Sequence, residues 1–202
     1  MKYPNFFNNV PTITLYDPLA KLLGAFKDGM ITYSYLDAVK LAGHSCPTVA
    51  GAYLMLLRAL EALYDNNIPV RGNIIVTCKD ARNFGVTGVI ANVFTLVSGA
   101  AAEEGFRGLN GRYSRNNLLH FSAAQNVPFI FTCKDSNKSV SVIYNPSAVV
   151  LQPIPPELMQ AITTSNATPE MENNFAQIWQ QNVKTILEAH HNPDLIKVER
   201  LN

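Results

Sequence analysis

A histidine and a cysteine two residues apart, in Gly43-His44-Ser45-Cys46-Pro47, are the residues of this chain best suited by type and spacing to do chemistry. Proline favours the first position of a helix, so Pro47 predicts that Cys46 is the N-cap of a helix starting there. The unpaired backbone donors and the positive end of the helix dipole favour a thiolate at that place. A nearby imidazole can take the thiol proton or share a metal with the sulfur. Two chemistries therefore stay open: ligation of zinc or another divalent transition metal, or a Cys46 nucleophile activated by His44. His-x-Cys is a weak pattern alone, because a lone cysteine in an apolar protein is more often a small core residue.

The other two cysteines lie in identical tetrapeptides, Thr77-Cys78-Lys79-Asp80 and Thr132-Cys133-Lys134-Asp135, each ending an apolar, β-branched run. If those runs are neighbours in one sheet, Cys78 or Cys133 can supply a third metal ligand, with Asp80 or Asp135 as a hard alternative. Cys78, nearer the first block, is the better candidate, giving His44, Cys46 and Cys78 as the metal set. The competing reading is burial at a strand end, with each cysteine facing inward and each aspartate starting a turn. Asn92 and Thr95, with Gly88 and Gly99, form a polar or small stripe at helical spacing on an otherwise apolar segment. An amide there either bonds neighbouring backbone or faces a cleft, which makes Asn92 and Thr95 candidate contacts for a small-molecule ligand. Arg107, Arg112 and Arg115, interleaved with Gly105, Gly108 and Gly111, are suited to an oxyanion but are also ordinary loop arginines. His190 and His191 read as a helix C-cap. Neither Gly-x-Ser-x-Gly nor a P-loop occurs, so no serine-triad or phosphate-cradle signature is present.

The elements that must position these residues follow from periodicity. Tyr16–Phe26 and Ser34–Leu41 read as short helices with cap chemistry at Asp17-Pro18 and Ser34, and Gly43 ends the second. Pro47–Tyr64 is nearly all apolar and rich in helix formers, which predicts a buried central helix closed by Asp65-Asn66-Asn67 and Pro69. Asn73–Thr77 reads as a buried strand and the uncharged Val86–Ala102 as a second buried helix. Glu103–Asn117 has neither period and reads as a long loop. Val127–Cys133 and Ser139–Tyr144, split by Asp135-Ser136-Asn137-Lys138, predict a hairpin. After the prolines at 153, 155 and 156, an amphipathic helix is marked by Met171, Phe175, Ile178, Trp179, Val183, Ile186 and Leu187. The expected architecture is α+β, with central buried helices on a small mixed or antiparallel sheet. All 202 residues form one domain, with 33–145 as its core and 153–202 as a C-terminal helical extension.

The first block resembles the E-subunit family of formylmethanofuran dehydrogenase. Its signature, roughly His-Gly-His-x-Cys-Pro-Gly-Leu-Ala opening a long helix, is matched at Gly43, His44, Cys46, Pro47 and Ala50, and Tyr53 also fits. The next block, roughly Cys-x-x-Asp-Ala-x-Gln-x-x-Thr-Gly-Cys, aligns with Val89–Ala100, setting Asn92 at the acid, Thr95 at the amide and Ser98-Gly99 at Thr-Gly. The similarity runs from about Tyr33 to Tyr144. No Cys-x-x-Cys pair follows Cys133, so the chain is similar to the core domain without the C-terminal zinc finger of some members. Ala42 stands for the family's first His, Thr48 for its Gly, Val89 and Ala100 for its helix cysteines, and Asn92 for its Asp. The resemblance implies a soluble, dimeric α+β core with a metal-binding cleft near His-x-Cys, and it implies no particular reaction. Three function classes follow: a metal-binding protein, a binding or assembly module that has lost the metal, and a metal-free cysteine-nucleophile enzyme.

Charge narrows the partners. A formal net charge of +1, with no polybasic run, provides no field for a nucleic-acid backbone. No apolar stretch approaches the length of a bilayer span, and the N-terminus lacks the pattern of a secretory leader, so the expected location is the cytoplasm. An odd number of unpaired cysteines suits that compartment.

Overall fold

The computed structural model describes every residue except Met1, Asn66 and Asn202; Asn66, part of the expected helix stop, lies outside the described residues. The elements are β1 (Ile13–Tyr16), α1 (Pro18–Leu22), β2 (Met30–Tyr33), α2 (Tyr35–Ala42), α3 (Pro47–Tyr64), β3 (Ile74–Cys78), α4 (Thr87–Ser98), β4 (Leu119–His120), β5 (Phe129–Cys133), β6 (Ser139–Tyr144), α5 (Pro156–Thr163), α6 (Pro169–Glu188) and β7 (Ile196–Arg200). The fold is α+β, as expected. A mixed five-stranded sheet runs β4-β3-β5-β6-β7, and β1 and β2 form a separate antiparallel pair.

Helix α3 is the centre of the molecule. Every residue from Val49 to Leu57 is buried, so the helix has no solvent face over that stretch, and only its last turns carry an exposed residue, Glu61. Neighbours on several sides explain this: α2, α4 and α6 pack against it, and β6 and β7 support it from the sheet. Phe94 of α4 meets Phe129 and Phe131 of β5 edge-on, with centroids 5.3 and 4.9 Å apart, which fixes α4 on the same sheet face. Tyr53 of α3 donates to the carbonyls of Pro11 (2.8 Å) and Tyr33 (3.1 Å), tying the N-terminal segment to the core.

Gly51 lies where α3 crosses β6, and a Cβ there would overlap the Tyr144 ring. Glycine to alanine in a helix interior ordinarily gains about 1 kcal/mol. Here the sign reverses, because Tyr144 is held by its hydrogen bond to the Pro47 carbonyl (3.1 Å). Gly51→Ala is expected to destabilise the fold by about 1–3 kcal/mol, read as a lowered urea midpoint.

Several expectations change. Tyr16 ends a strand, and the expected helix over Tyr16–Phe26 is only the five residues of α1. The main chain of Tyr16 is engaged with the segment before β3: its N–H donates to the Pro69 carbonyl and its carbonyl accepts from Arg71 N–H, each at 2.9 Å. The helix expected over Val86–Ala102 spans Thr87–Ser98, stopped by Gly99 at φ +73°. The region after 153 is not purely helical, since β7 completes the sheet beside β6. The 103–117 segment is a loop, and Val127–Tyr144 is a hairpin, as the patterns indicate.

Candidate functional site

The turn before α3 is built from its own residues and from the C-terminal helix. Cys46 is the N-cap of α3 with Pro47 at the first helical position, and its Sγ accepts the Val49 N–H at 3.4 Å. Ser45 is buried; its hydroxyl is 2.9 Å from that of Tyr35, and its carbonyl accepts from Trp179 Nε1 (2.9 Å) and Gln180 Nε2 (3.2 Å) of α6. Gln180 Oε1 is left as the one buried side-chain polar atom without a partner among the described residues. These clamps hold Ser45 and Cys46 inward and leave His44 exposed, with its Nδ1 3.0 Å from the Ala42 carbonyl. With Nδ1 as donor to that carbonyl, Nε2 is the acceptor. That is the orientation second partners impose on a ligating imidazole.

His44 opens onto a groove. Leu41, Ala42, His44, Val89, Asn92 and Val93 line one pocket. Asn92 also lines a second of about 310 Å³ with Arg82, Gly88, Thr95, Glu104, Leu119 and Phe121. Asn92, exposed on α4, joins the two, and its amide makes no hydrogen bond among the described residues. The stripe of Gly88, Asn92 and Thr95 therefore floors the second pocket. Gly88 is required there, since a Cβ would sit 2.7 Å from the Arg82 carbonyl. Arg82 closes one side, 3.3 Å from Glu104 and 4.9 Å over the Phe121 ring.

The groove takes in three positions at which the resemblance implies metal ligands. Ala42, Val89 and Asn92, where the resemblance implies His, Cys and Asp, line one pocket with His44. What remains there is one imidazole, one neutral amide and an apolar wall. Zinc takes three protein ligands in catalytic sites and four in structural ones. Among the described residues no group of three or more His, Cys, Asp or Glu side chains is placed to hold a metal.

Cys78 does not join His44 and Cys46. It faces the core from the end of β3 and is fully buried. Strands β3 and β5 are neighbours, but antiparallel: Cys78 pairs with Phe129 and Cys133 with Ile74. Identical tetrapeptides thus put the two sulfurs at opposite ends of the strand pair, about 13 Å apart along it. Burial, and then Asp80, push the Cys78 thiol up to about 12. Burial also raises Cys133, but hydrogen bonding with Ser136, Tyr64 and the Asp135 backbone outweighs it and holds that thiol below its ordinary value.

The Cys78 shift has a pH consequence. A thiol raised in the folded state favours folding fully below its unfolded value, taken as 9.0, and this contribution is lost as pH rises toward 12. Stability to urea is expected to fall above pH 9, and Cys78→Ala to flatten that fall. In the native protein at pH 8, Cys78 is expected to resist alkylation until the chain unfolds.

The remaining residues take structural places. His190 Nδ1 lies 3.1 Å from the Leu187 carbonyl at the end of α6, as a cap would. Ile178, Val183, Ile186 and Leu187 are buried, and α6 packs on α3. Trp179 and Gln180 were not legible as site-positioning residues, because nothing local in α6 tells which carbonyl, 134 and 135 residues away, they meet.

An α+β fold with a groove between the turn before α3 and the exposed side of α4 is thus defined. The chain belongs to the FmdE family: the family model described as "FmdE, Molybdenum formylmethanofuran dehydrogenase operon" matches residues 41–193. That match runs beyond the motif-bearing stretch and takes in α5 and α6. No curated protein matches the chain. No helix among the described residues is long and apolar enough to cross a membrane.

Proposed function

We propose that this chain is a ligand-binding module of the FmdE family that takes a small molecule in the groove at His44 and Asn92 and holds no resident metal there. The observation that carries this reading is the lining of the groove around His44, where the resemblance implies metal ligands at three positions. The three positions best able to complete a metal set are alanine, valine and asparagine, and all three line the groove. Leu41 and Val89 offer apolar surface, His44 Nε2 an acceptor, and the Asn92 amide both a donor and an acceptor. Such a wall suits a small, partly apolar ligand bearing an amide, hydroxyl or carbonyl. A cytoplasmic homodimer is part of the same reading, supported by three free thiols and by exposed Leu41, Phe84, Val86 and Val89 at and near the groove.

A second reading keeps the metal. It rests on the Nδ1 contact of His44 with the Ala42 carbonyl, which leaves Nε2 free for zinc or another divalent transition metal. Cys46 and Cys78 contribute little to it, since one sulfur caps α3 and the other is in the core.

A fragment screen by ¹⁵N-resolved NMR tests the groove. Ligands are expected to shift the amides of Leu41, His44, Val89 and Asn92, and Ala42→Trp, which fills the pocket, to abolish those shifts while the rest of the spectrum stays native. Ligands that shift only residues elsewhere, or unchanged binding in Ala42→Trp, would refute the assignment.

A further inference from the structure

A separate cavity lies beside the loop of glycines and arginines. It has a volume of about 210 Å³ and is lined by Val70–Asn73, by Gly111 and Tyr113–Arg115, and by Lys134 and Asp135, with Pro18 at its edge. Its base is an ion cluster. Asp17, buried, accepts from Arg115 Nη2 at 2.7 Å through Oδ1 and from Arg71 Nη1 at 3.2 Å through Oδ2. Arg71 is otherwise engaged by the C-terminal carbonyls of α4, with Nε on Val97 and Nη2 on Leu96, each at 3.0 Å.

Arg115 is different. Only 7% of it is exposed, yet Nη2 is the one guanidinium nitrogen in a hydrogen bond among the described residues. None of its nitrogens is a fully buried orphan, so the unused donors keep some access to solvent, and the residue lines the cavity. Space for the guanidinium is made by Gly72, at φ +82°, where any Cβ would overlap it. Lys134 stands exposed at the rim and forms no ion pair among the described residues. The acid in the wall, Asp135, has Oδ2 on Asn73 Nδ2 at 2.8 Å. Three cations (Arg71, Arg115, Lys134) against two carboxylates (Asp17, Asp135) leave one positive charge over a partly desolvated cavity. Burial pushes the Arg115 guanidinium below its usual value; Asp17 opposes this and Arg71 adds to it. An added anion would offset that repulsion.

We propose that this cavity is a binding site for a small oxyanion group, a phosphate or carboxylate, held by the free edge of the Arg115 guanidinium and by Lys134. Arginine's planar fork matches either group, and the rim lysine adds a point charge that does not need to be ordered beforehand. The site is separate from the groove at His44 and does not rest on it.

Inorganic phosphate and acetate, titrated separately at low ionic strength into the full chain and followed by ¹⁵N-resolved NMR, test this. Saturable shifts at Gly72, Tyr113, Ser114 and Lys134 are expected for at least one of them, and the tighter one identifies the class of oxyanion. Lys134→Gln, an exposed substitution, is expected to weaken binding about tenfold, and Arg115→Lys, which keeps the charge but loses the fork, by more than that. Lys79→Gln, outside the cavity, should leave it unchanged. Should Arg115→Lys fail to fold, Lys134→Gln still decides. No saturable binding of either anion, or binding indifferent to Lys134→Gln, would overturn the assignment and leave the cluster as a purely structural clasp.

Discussion

Ala42→His, Val89→Cys and Asn92→Asp, introduced together, are expected to convert the groove at His44 into a zinc site, tightening zinc binding at least about 1,000-fold over the wild type. With His44 the variant would present two imidazoles, a thiolate and a carboxylate from positions that already line one pocket. That set meets the four-coordinate preference of zinc. Its donors come from the end of α2, the turn after it and successive turns of α4, so little backbone movement is needed. Competition against a chromophoric chelator measures the affinity, and the α-helical circular dichroism shows whether the variant folds. A folded variant with wild-type zinc affinity would mean that these four positions do not converge as described. Each single substitution is expected to have a much smaller effect, since two or three ligands bind far more weakly than a complete set.

The second large effect is on stability. Asp17→Ala is expected to cost about 3–5 kcal/mol, because it leaves Arg71 and the buried Arg115 without their common carboxylate. The same side chain accepts the Leu19 and Ala20 N–H groups at the start of α1, at 2.9 and 3.1 Å, so the helix cap goes with it. Such a loss is a large share of the roughly 5–15 kcal/mol available to a domain. Asp17→Asn retains cap geometry and separates the two contributions: it should keep α1 but still lose most of the charge contribution. Urea denaturation reads both. A loss below about 1 kcal/mol for Asp17→Ala would contradict the clasp, placing it among ordinary surface pairs.

What the sequence made legible was what is local. Pro47 placed Cys46 at the N-cap because helix starts are decided within a few residues, and the structure has that arrangement. Asp17-Pro18 gave the start of α1 for the same reason, but not the two arginines 54 and 98 positions away that share the aspartate. Chain direction was equally hidden. The repeated Thr-Cys-Lys-Asp left open whether Cys78 or Cys133 is a third metal ligand or a buried strand end; both are buried, and antiparallel pairing of β3 with β5 puts them at opposite ends. Strands β1, β2 and β4 are too short to impose a period, and Tyr16 sat as readily in a helical pattern as at a strand end. Strand β7 does carry an alternation, Ile196 and Val198 against Lys197 and Glu199. Its partner, β6, lies some 50 residues earlier, and only the sheet shows them together. At the site, the spacing of Asn92 and Thr95 gave the face of α4, while the walls contributed by Arg82, Glu104 and Phe121 required the fold.

The most direct measurement is elemental analysis of the tag-free wild type, as purified and after incubation with zinc and desalting, beside His44→Ala and Cys46→Ser. The proposed ligand groove without a resident metal predicts well under one transition metal per chain in every sample, with no difference between wild type and variants. About one zinc or other transition metal per wild-type chain, lost in His44→Ala, would contradict the account and restore the groove as a metal centre.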